Sequence, residues 1–213
     1  MDNYIEINNL SKILKGKKVL NEITLSLEKG KIYGFLGRNG SGKTMFFRAL
    51  SGLIKPTEGT IKINNKELHK DISFPENIGI IIENPGFWSN YTVFENLKVL
   101  SEINKKITDT QIINTLERVD LKKFSNMKYK KMSLGMKQKL AIAQAIMEFP
   151  DLIILDEPTN SLDEYSVDIV RNIILDEKKR GATILISSHN KEDIDILSDE
   201  KYKVTDGKIE KLD

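Results

Sequence analysis

Apolar and polar residues alternate near both ends of the chain, and short apolar runs lie between. Tyr4–Ile7 and Val19–Leu27 (VLNEITLSL) carry an apolar residue at every second or third place, which predicts half-buried antiparallel strands. Lys31–Leu36 (KIYGFL) predicts a short apolar strand, with a helix after it at Gly42–Leu50. Thr60–Asn64 (TIKIN) leads into Asn65 and Lys66 as a strand into a hairpin turn. Gly79–Ile82 predicts another buried strand. From about Thr92 to Met132 the alternation gives way to helical spacing, as in Val93, Leu97 and Leu100, or Ile112, Leu116 and Val119. The last third returns to strands. Leu152–Leu155 and Ala182–Ser187 are continuous apolar runs, the pattern of parallel strands covered on both faces. Val167, Val170, Ile173 and Ile174 form a helical stripe between them, and Asp206-Gly207 marks a hairpin turn. The sum is an α/β fold in one domain over residues 1–213. It has a mixed central sheet, an antiparallel β portion and a helical subdomain inserted at about residues 92–148.

Composition narrows the chemistry. Hydrophobic residues make up 39% and charged residues 30% of 213, too apolar for a disordered chain. A net charge of +2 gives no general drive toward nucleic acid or anionic lipid, so no nucleic-acid partner is expected. There is no cysteine, which removes disulfides, thiolate nucleophiles and cysteine-ligated zinc. Two histidines, His69 and His189, are too few for a multi-histidine metal centre. No apolar run approaches the ~18 residues of a membrane span, and the polar, acidic start is unlike a secretory signal. The expectation is a cytoplasmic chain whose membrane contact goes through a partner.

Gly37-Arg38-Asn39-Gly40-Ser41-Gly42-Lys43-Thr44 fits G-x-x-x-x-G-K-[ST], between a predicted strand and a predicted helix. Glycines let the backbone fold tightly so that successive N–H groups converge on one centre. The helix behind adds its positive end. Lys43 offers a charge to the β- and γ-phosphates of a nucleotide, and Thr44 offers a hydroxyl to Mg²⁺. A glycine turn before a helix is the plainer alternative. Downstream, the strand Leu152–Leu155 ends in Asp156 and Glu157. A carboxylate at that end of a parallel strand faces the ligand crevice. Asp156 is placed to hold the same Mg²⁺, and Glu157 to polarise a water. Taken alone, the two acids read as solvated strand-end carboxylates.

Three further elements carry a family resemblance. Met132-Ser133-Leu134-Gly135-Met136-Lys137-Gln138-Lys139 resembles the LSGGQ signature of ABC ATPases. Ser161-Leu162-Asp163 resembles their D-loop, and His189, just beyond a strand, resembles their switch histidine. All stand in the family's order and span essentially the whole chain. The resemblance implies a P-loop NTPase of ABC type that uses ATP and Mg²⁺. It implies a head-to-tail dimer, of two copies or of this chain with a related subunit. Ser133 and Gly135 of one copy would close on the γ-phosphate held by Lys43 of the other, with Asp163 alongside. His189 would sense that phosphate. The implied role is the ATP-hydrolysing subunit of a membrane transporter, bound to a separate transmembrane permease at the inner face of the membrane. Without the other motifs, Ser133 reads as a helix cap and His189 as incidental.

The chain departs from the family pattern in places. Glu83 stands where the family's glutamine contacts Mg²⁺ and water, and IENPGF around it resembles exporters of the bacitracin- and lantibiotic-resistance kind. The plain alternative for Glu83 is a solvated loop acid. Leu14 falls where an adenine-stacking aromatic is expected, so apolar contact replaces π-stacking. Leu134 replaces the signature's first glycine. Phe87, Trp88 and Tyr91 are either core of the helical part or a groove for a helix of the membrane subunit. The run Lys122, Lys123, Lys128, Lys130 and Lys131 reads as a solvated face, with proximity to acidic headgroups as the alternative. An alternative role is a non-transport ABC ATPase of DNA repair, chromosomes or ribosomes. Such chains carry long coiled-coil insertions or two cassettes, whereas about fifty residues separate Glu83 from Ser133 here. A regulatory module that binds nucleotide without cleaving it is the third reading, and Asp156, Glu157 and His189 speak against it.

Overall fold

The computed structural model describes residues 3–83 and 86–212. The chain runs β1 (Asn3–Leu14), β2 (Lys17–Glu28), β3 (Ile32–Leu36), α1 (Lys43–Leu50), β4 (Glu58–Ile63), β5 (Lys66–Glu67) and β6 (Ile78–Ile81). It continues through α2 (Val93–Asn104), α3 (Asp109–Arg118), α4 (Leu134–Ile146), β7 (Leu152–Asp156), α5 (Glu164–Lys179), β8 (Thr183–Ser188), α6 (Lys191–Leu197), β9 (Glu200–Thr205) and β10 (Lys208–Leu212).

The strands make two sheets. One is antiparallel, in the order β2-β1-β4-β5; the other is mixed, in the order β10-β9-β3-β8-β7-β6, with only β9–β10 antiparallel. The antiparallel portion is thus mostly a second sheet rather than an extension of the first. β1 is also far longer than Tyr4–Ile7. Alternation breaks at Asn8-Asn9 because the register shifts there, with Asn9 at φ 49°. That bulge turns Leu10 onto the same buried face as Ile5 and Ile7.

Two apolar clusters hold the layers, and strand periodicity sorts residues between them. Tyr33, Phe35, Ile154 and Leu185 face the cluster shared with the antiparallel sheet and with Phe46 and Phe47 of α1. Ile153, Leu155, Ile184 and Ile186 face the other cluster, which also takes Val93, Leu97, Leu116 and Leu140 from the helices. Phe35 stacks on Tyr202 at 5.3 Å and meets Phe47 edge-on at 5.6 Å. Helix starts in the middle segment are written locally. Thr92 with Glu95, and Thr108 with Gln111, form complete capping boxes on α2 and α3. The helix α1 differs: its N-cap is Gly42, with no side-chain cap. The first amides of α1 are therefore left to the loop before it, at the carboxyl ends of β3, β7 and β8.

Candidate functional site

The loop 37–44 is shaped by its glycines and braced from outside. Gly42 takes φ 114°, a value side chains rarely adopt, and a Cβ there would lie 3.1 Å from Val19 O and 3.2 Å from Gly207 Cα. Gly207 N donates to Ser41 O at 2.8 Å, and Asn21 N donates to Gly207 O at 2.9 Å. The β9–β10 turn thereby ties the loop to β2. Lys43 is 5% exposed, and its Nζ donates to Gly37 O at 2.7 Å and to Arg38 O at 3.3 Å. A cavity of about 350 Å³ opens over the loop, lined by residues 38–45, Asp156, Glu157 and Asp206.

Parallel pairing puts the second set of residues against the first. Thr44 Oγ1 donates to Asp156 Oδ2 at 2.6 Å, and Ser187 Oγ donates to Asp156 Oδ1. Ser187 is the register partner of Asp156 across β7–β8. Glu157 follows with φ 52°, its amide donating to Ser187 O at 3.2 Å. Its Oε2 lies 2.8 Å from His189 Nδ1, and its Oε1 lies 3.4 Å from Lys43 Nζ. Among the described residues, Ser41 Oγ and Glu157 Oε1 are buried without a hydrogen-bond partner, Lys43 approaching the latter only as an ion pair. Both belong to residues lining the cavity, so a polar ligand there would satisfy them. A loop of amides and one buried ammonium is suited to a polyphosphate, bound through backbone dipoles and charge, while the two carboxylates suit a cation or a water beside it.

The remaining expected residues divide. Arg38 and Asn39 are exposed at the loop's rim and line the cavity. Glu83 does not join it. At φ 61°, Glu83 Oε2 lies 2.8 Å from Arg48 Nη2 with its side chain 62% exposed. Arg48 sits one turn beyond Thr44 on α1, and this cation holds the carboxylate at the surface. Asn84 and Pro85 of the IENPGF motif lie outside the described residues. Leu14 does not line this cavity. It ends β1 at the tip of the β1–β2 hairpin, opposite Lys17, and Lys17, Lys18 and Val19 form the cavity wall instead.

Ser133 caps α4, accepting from Met136 N at 3.2 Å. A Cβ on Gly135 would lie 3.2 Å from Ser161 O, so the signature helix begins against the D-loop of its own chain. Asp163 caps α5, accepting from Ser166 N at 2.8 Å, and that backbone hydrogen bond holds its carboxyl below the ordinary range. None of these three lines the cavity over residues 37–44. Phe87 packs on Tyr129 at 5.3 Å, whereas Trp88 and Tyr91 stack on each other at 5.8 Å and stay exposed. Buried Asn96 bonds to Trp88 N and O and to Thr92 O, fixing the loop that carries the pair.

Sequence reasoning missed Ser187 and Gln138 as site residues. Gln138 Nε2 donates to Pro158 O at 3.0 Å, joining the signature helix to the turn after Glu157. Ser187 had a legible signal, because it ends an apolar strand that pairs with the one ending in Asp156. Gln138 had none beyond standing in the signature.

Comparisons with known proteins agree with this geometry. The family model described as ABC transporter matches residues 20–160. The uncharacterized ABC transporter ATP-binding protein YybJ of Bacillus subtilis is 54% identical over 206 residues, 97% of this chain and 94% of that protein. The bacitracin transport ATP-binding protein BcrA of Bacillus licheniformis is 40% identical over 98% of this chain and 69% of that protein. The lantibiotic transport ATP-binding protein SrtF of Streptococcus pyogenes is 36% identical over 96% of this chain and 88% of that protein. In structure, a dimeric bacterial ABC transporter cassette superposes with a TM-score of 0.88 over 98% of this chain and 99% of that one, at 22% identity. The fold is that of an ABC cassette, and the match extends nearly end to end. On these grounds the chain belongs to the ABC transporter family, as one of its ATP-binding, ATP-hydrolysing subunits.

Proposed function

We propose that the loop 37–44 grips the β- and γ-phosphates of ATP, with Lys43 and the loop's free backbone amides as the donors. Glu157 acts as general base on the attacking water. The observation that carries this is the placing of Glu157, which lines the cavity with its two oxygens set between Lys43 and His189. His189 sits where it can hold the carboxylate and contact the γ-phosphate. The hydroxyl of Thr44 and the carboxylate of Asp156 would hold Mg²⁺, a pair of hard oxygen ligands suited to that ion. When bound, Mg²⁺ neutralises charge on the phosphates during transfer. Among the described residues no three His, Cys, Asp or Glu side chains form a metal cluster. Glu83, paired to Arg48, is not assigned to the metal.

Two copies pack head to tail on ATP, Ser133 and Gly135 of one facing the loop of the other. The cassette energises a separate membrane permease, and Trp88 and Tyr91 supply part of its docking face. Among the described residues no helix is long and apolar enough to cross a membrane. The names of BcrA and SrtF, bacitracin and lantibiotic transport ATP-binding proteins, support a transporter of such cargo, and the direction is read as export from the IENPGF resemblance. In the test, Glu157→Gln should lower ATP turnover roughly 10²–10⁴-fold while keeping nucleotide binding and accumulating an ATP-dependent dimer in sedimentation. Turnover at the parent rate would remove Glu157 as the base.

A further inference from the structure

One buried carboxylate has no part in the proposed hydrolysis: Asp193, on the first turn of α6, is 4% exposed. Its Oδ1 accepts from Arg171 Nε at 3.0 Å and Nη2 at 2.6 Å, and its Oδ2 accepts from Thr159 Oγ1 at 2.7 Å. Arg171 belongs to α5 and also approaches Asp168 at 3.7 Å and Glu192 at 3.6 Å. Three segments therefore meet at one carboxylate: the turn after β7, the helix α5 and the start of α6.

The position of this junction matters. Thr159 follows Glu157 by two residues, and Asp193 follows His189 by four. Glu157 and His189 are themselves in contact at 2.8 Å. The hydrogen bond Thr159–Asp193 thus closes a second link between the two segments that carry them. The same turn is held on its other side by Gln138 of the signature helix, through Pro158 O at 3.0 Å. A buried carboxylate that takes two arginine N–H groups on one oxygen is a rigid anchor, since breaking it strands a charge.

We propose that Asp193, fixed by Arg171 and bonded to Thr159, is a positioning residue that sets Glu157 and His189 against each other for ATP hydrolysis. It touches neither nucleotide nor water. The proposal rests on the reading of Glu157 as the base. Misplacing a reacting group by about 1 Å can cost ~10²-fold in rate, whereas phosphate binding by the loop does not pass through this junction.

The test is steady-state hydrolysis of MgATP by the full chain and its variants. Asp193→Asn and Thr159→Val should each lower kcat about 10- to 100-fold and leave KM within about 3-fold, as expected for lost alignment rather than lost binding. Thr159→Ser, which keeps the hydroxyl, should restore kcat. Thr159→Val combined with Asp193→Asn should be no slower than the worse single variant, because both remove one link. Thermal melts accompany each assay. Should Asp193→Asn not fold, the Thr159→Val and Thr159→Ser pair carries the test alone. The proposal is overturned if Thr159→Val and Thr159→Ser have equal kcat, or if KM rises as far as kcat falls. Glu157→Gln is run in parallel. A dead Glu157→Gln with unaffected Thr159→Val sinks this inference alone, whereas an active Glu157→Gln sinks the assignment of the base.

Discussion

Gly79 shows what one hydrogen in place of a methyl can decide. A Cβ there would sit 1.8 Å from Ala145 O and 2.9 Å from Pro150 Cγ, because α4 lies directly on β6. Backbone cannot yield as a side-chain tip can, so Gly79→Ala should destabilise the fold by about 1–3 kcal/mol or more, read as a lower urea midpoint at unchanged slope. In the sequence Gly79 is indistinguishable from any glycine in a strand; the contact partner lies 66 positions away. The same distance problem explains Glu83. Its type and loop were legible, but its pairing with Arg48 depends on where α1 points that side chain. Glu157, by contrast, was legible from its place after an apolar strand. Its φ of 52°, strained for a non-glycine residue, was not.

At the scale of elements, the edge of the mixed sheet is held by Glu200, which opens β9. It pairs with Lys211 of β10 at 2.7 Å and with Lys31 before β3 at 3.0 Å, and it accepts from Tyr202 Oη at 3.0 Å. The hydrogen bond from Lys211, then those from Lys31 and Tyr202, outweigh burial and bring its carboxyl down to about 2. The folded value lies below the unfolded one of about 4.3, so this stability is complete above that pH and is lost as pH falls toward 2. For a side chain one-fifth exposed it is worth about 1–2 kcal/mol at neutral pH. Urea unfolding at pH 7 and pH 3 should show Glu200→Gln less stable at pH 7 and less sensitive to the change. The Asp206-Gly207 turn was readable because it is local. The β1 bulge was not, because it is defined by pairing with β2.

For the molecule as a whole, the helices of the middle segment are joined to the sheet body partly through Glu177. This carboxylate on α5 is 2% exposed, with Oε1 2.8 Å from Arg118 Nη1 of α3 and Oε2 2.8 Å from Arg180 Nε. Arg180 in turn donates to Pro150 O. Glu177→Ala should cost about 1–3 kcal/mol in chemical unfolding, since both arginines are a third exposed and can partly rehydrate. The sequence by itself determined the phosphate loop, the acids after β7, the order of the motifs and the alternation of α and β, because each is written in residues close along the chain. The tertiary structure alone decided that Glu83 turns to Arg48, that Lys17, Lys18 and Val19 rather than Leu14 line the cavity, and that Asp193 joins the turn after Glu157 to the segment of His189. Those outcomes depend on which distant side chains meet across layers, and no spacing along a single chain encodes that.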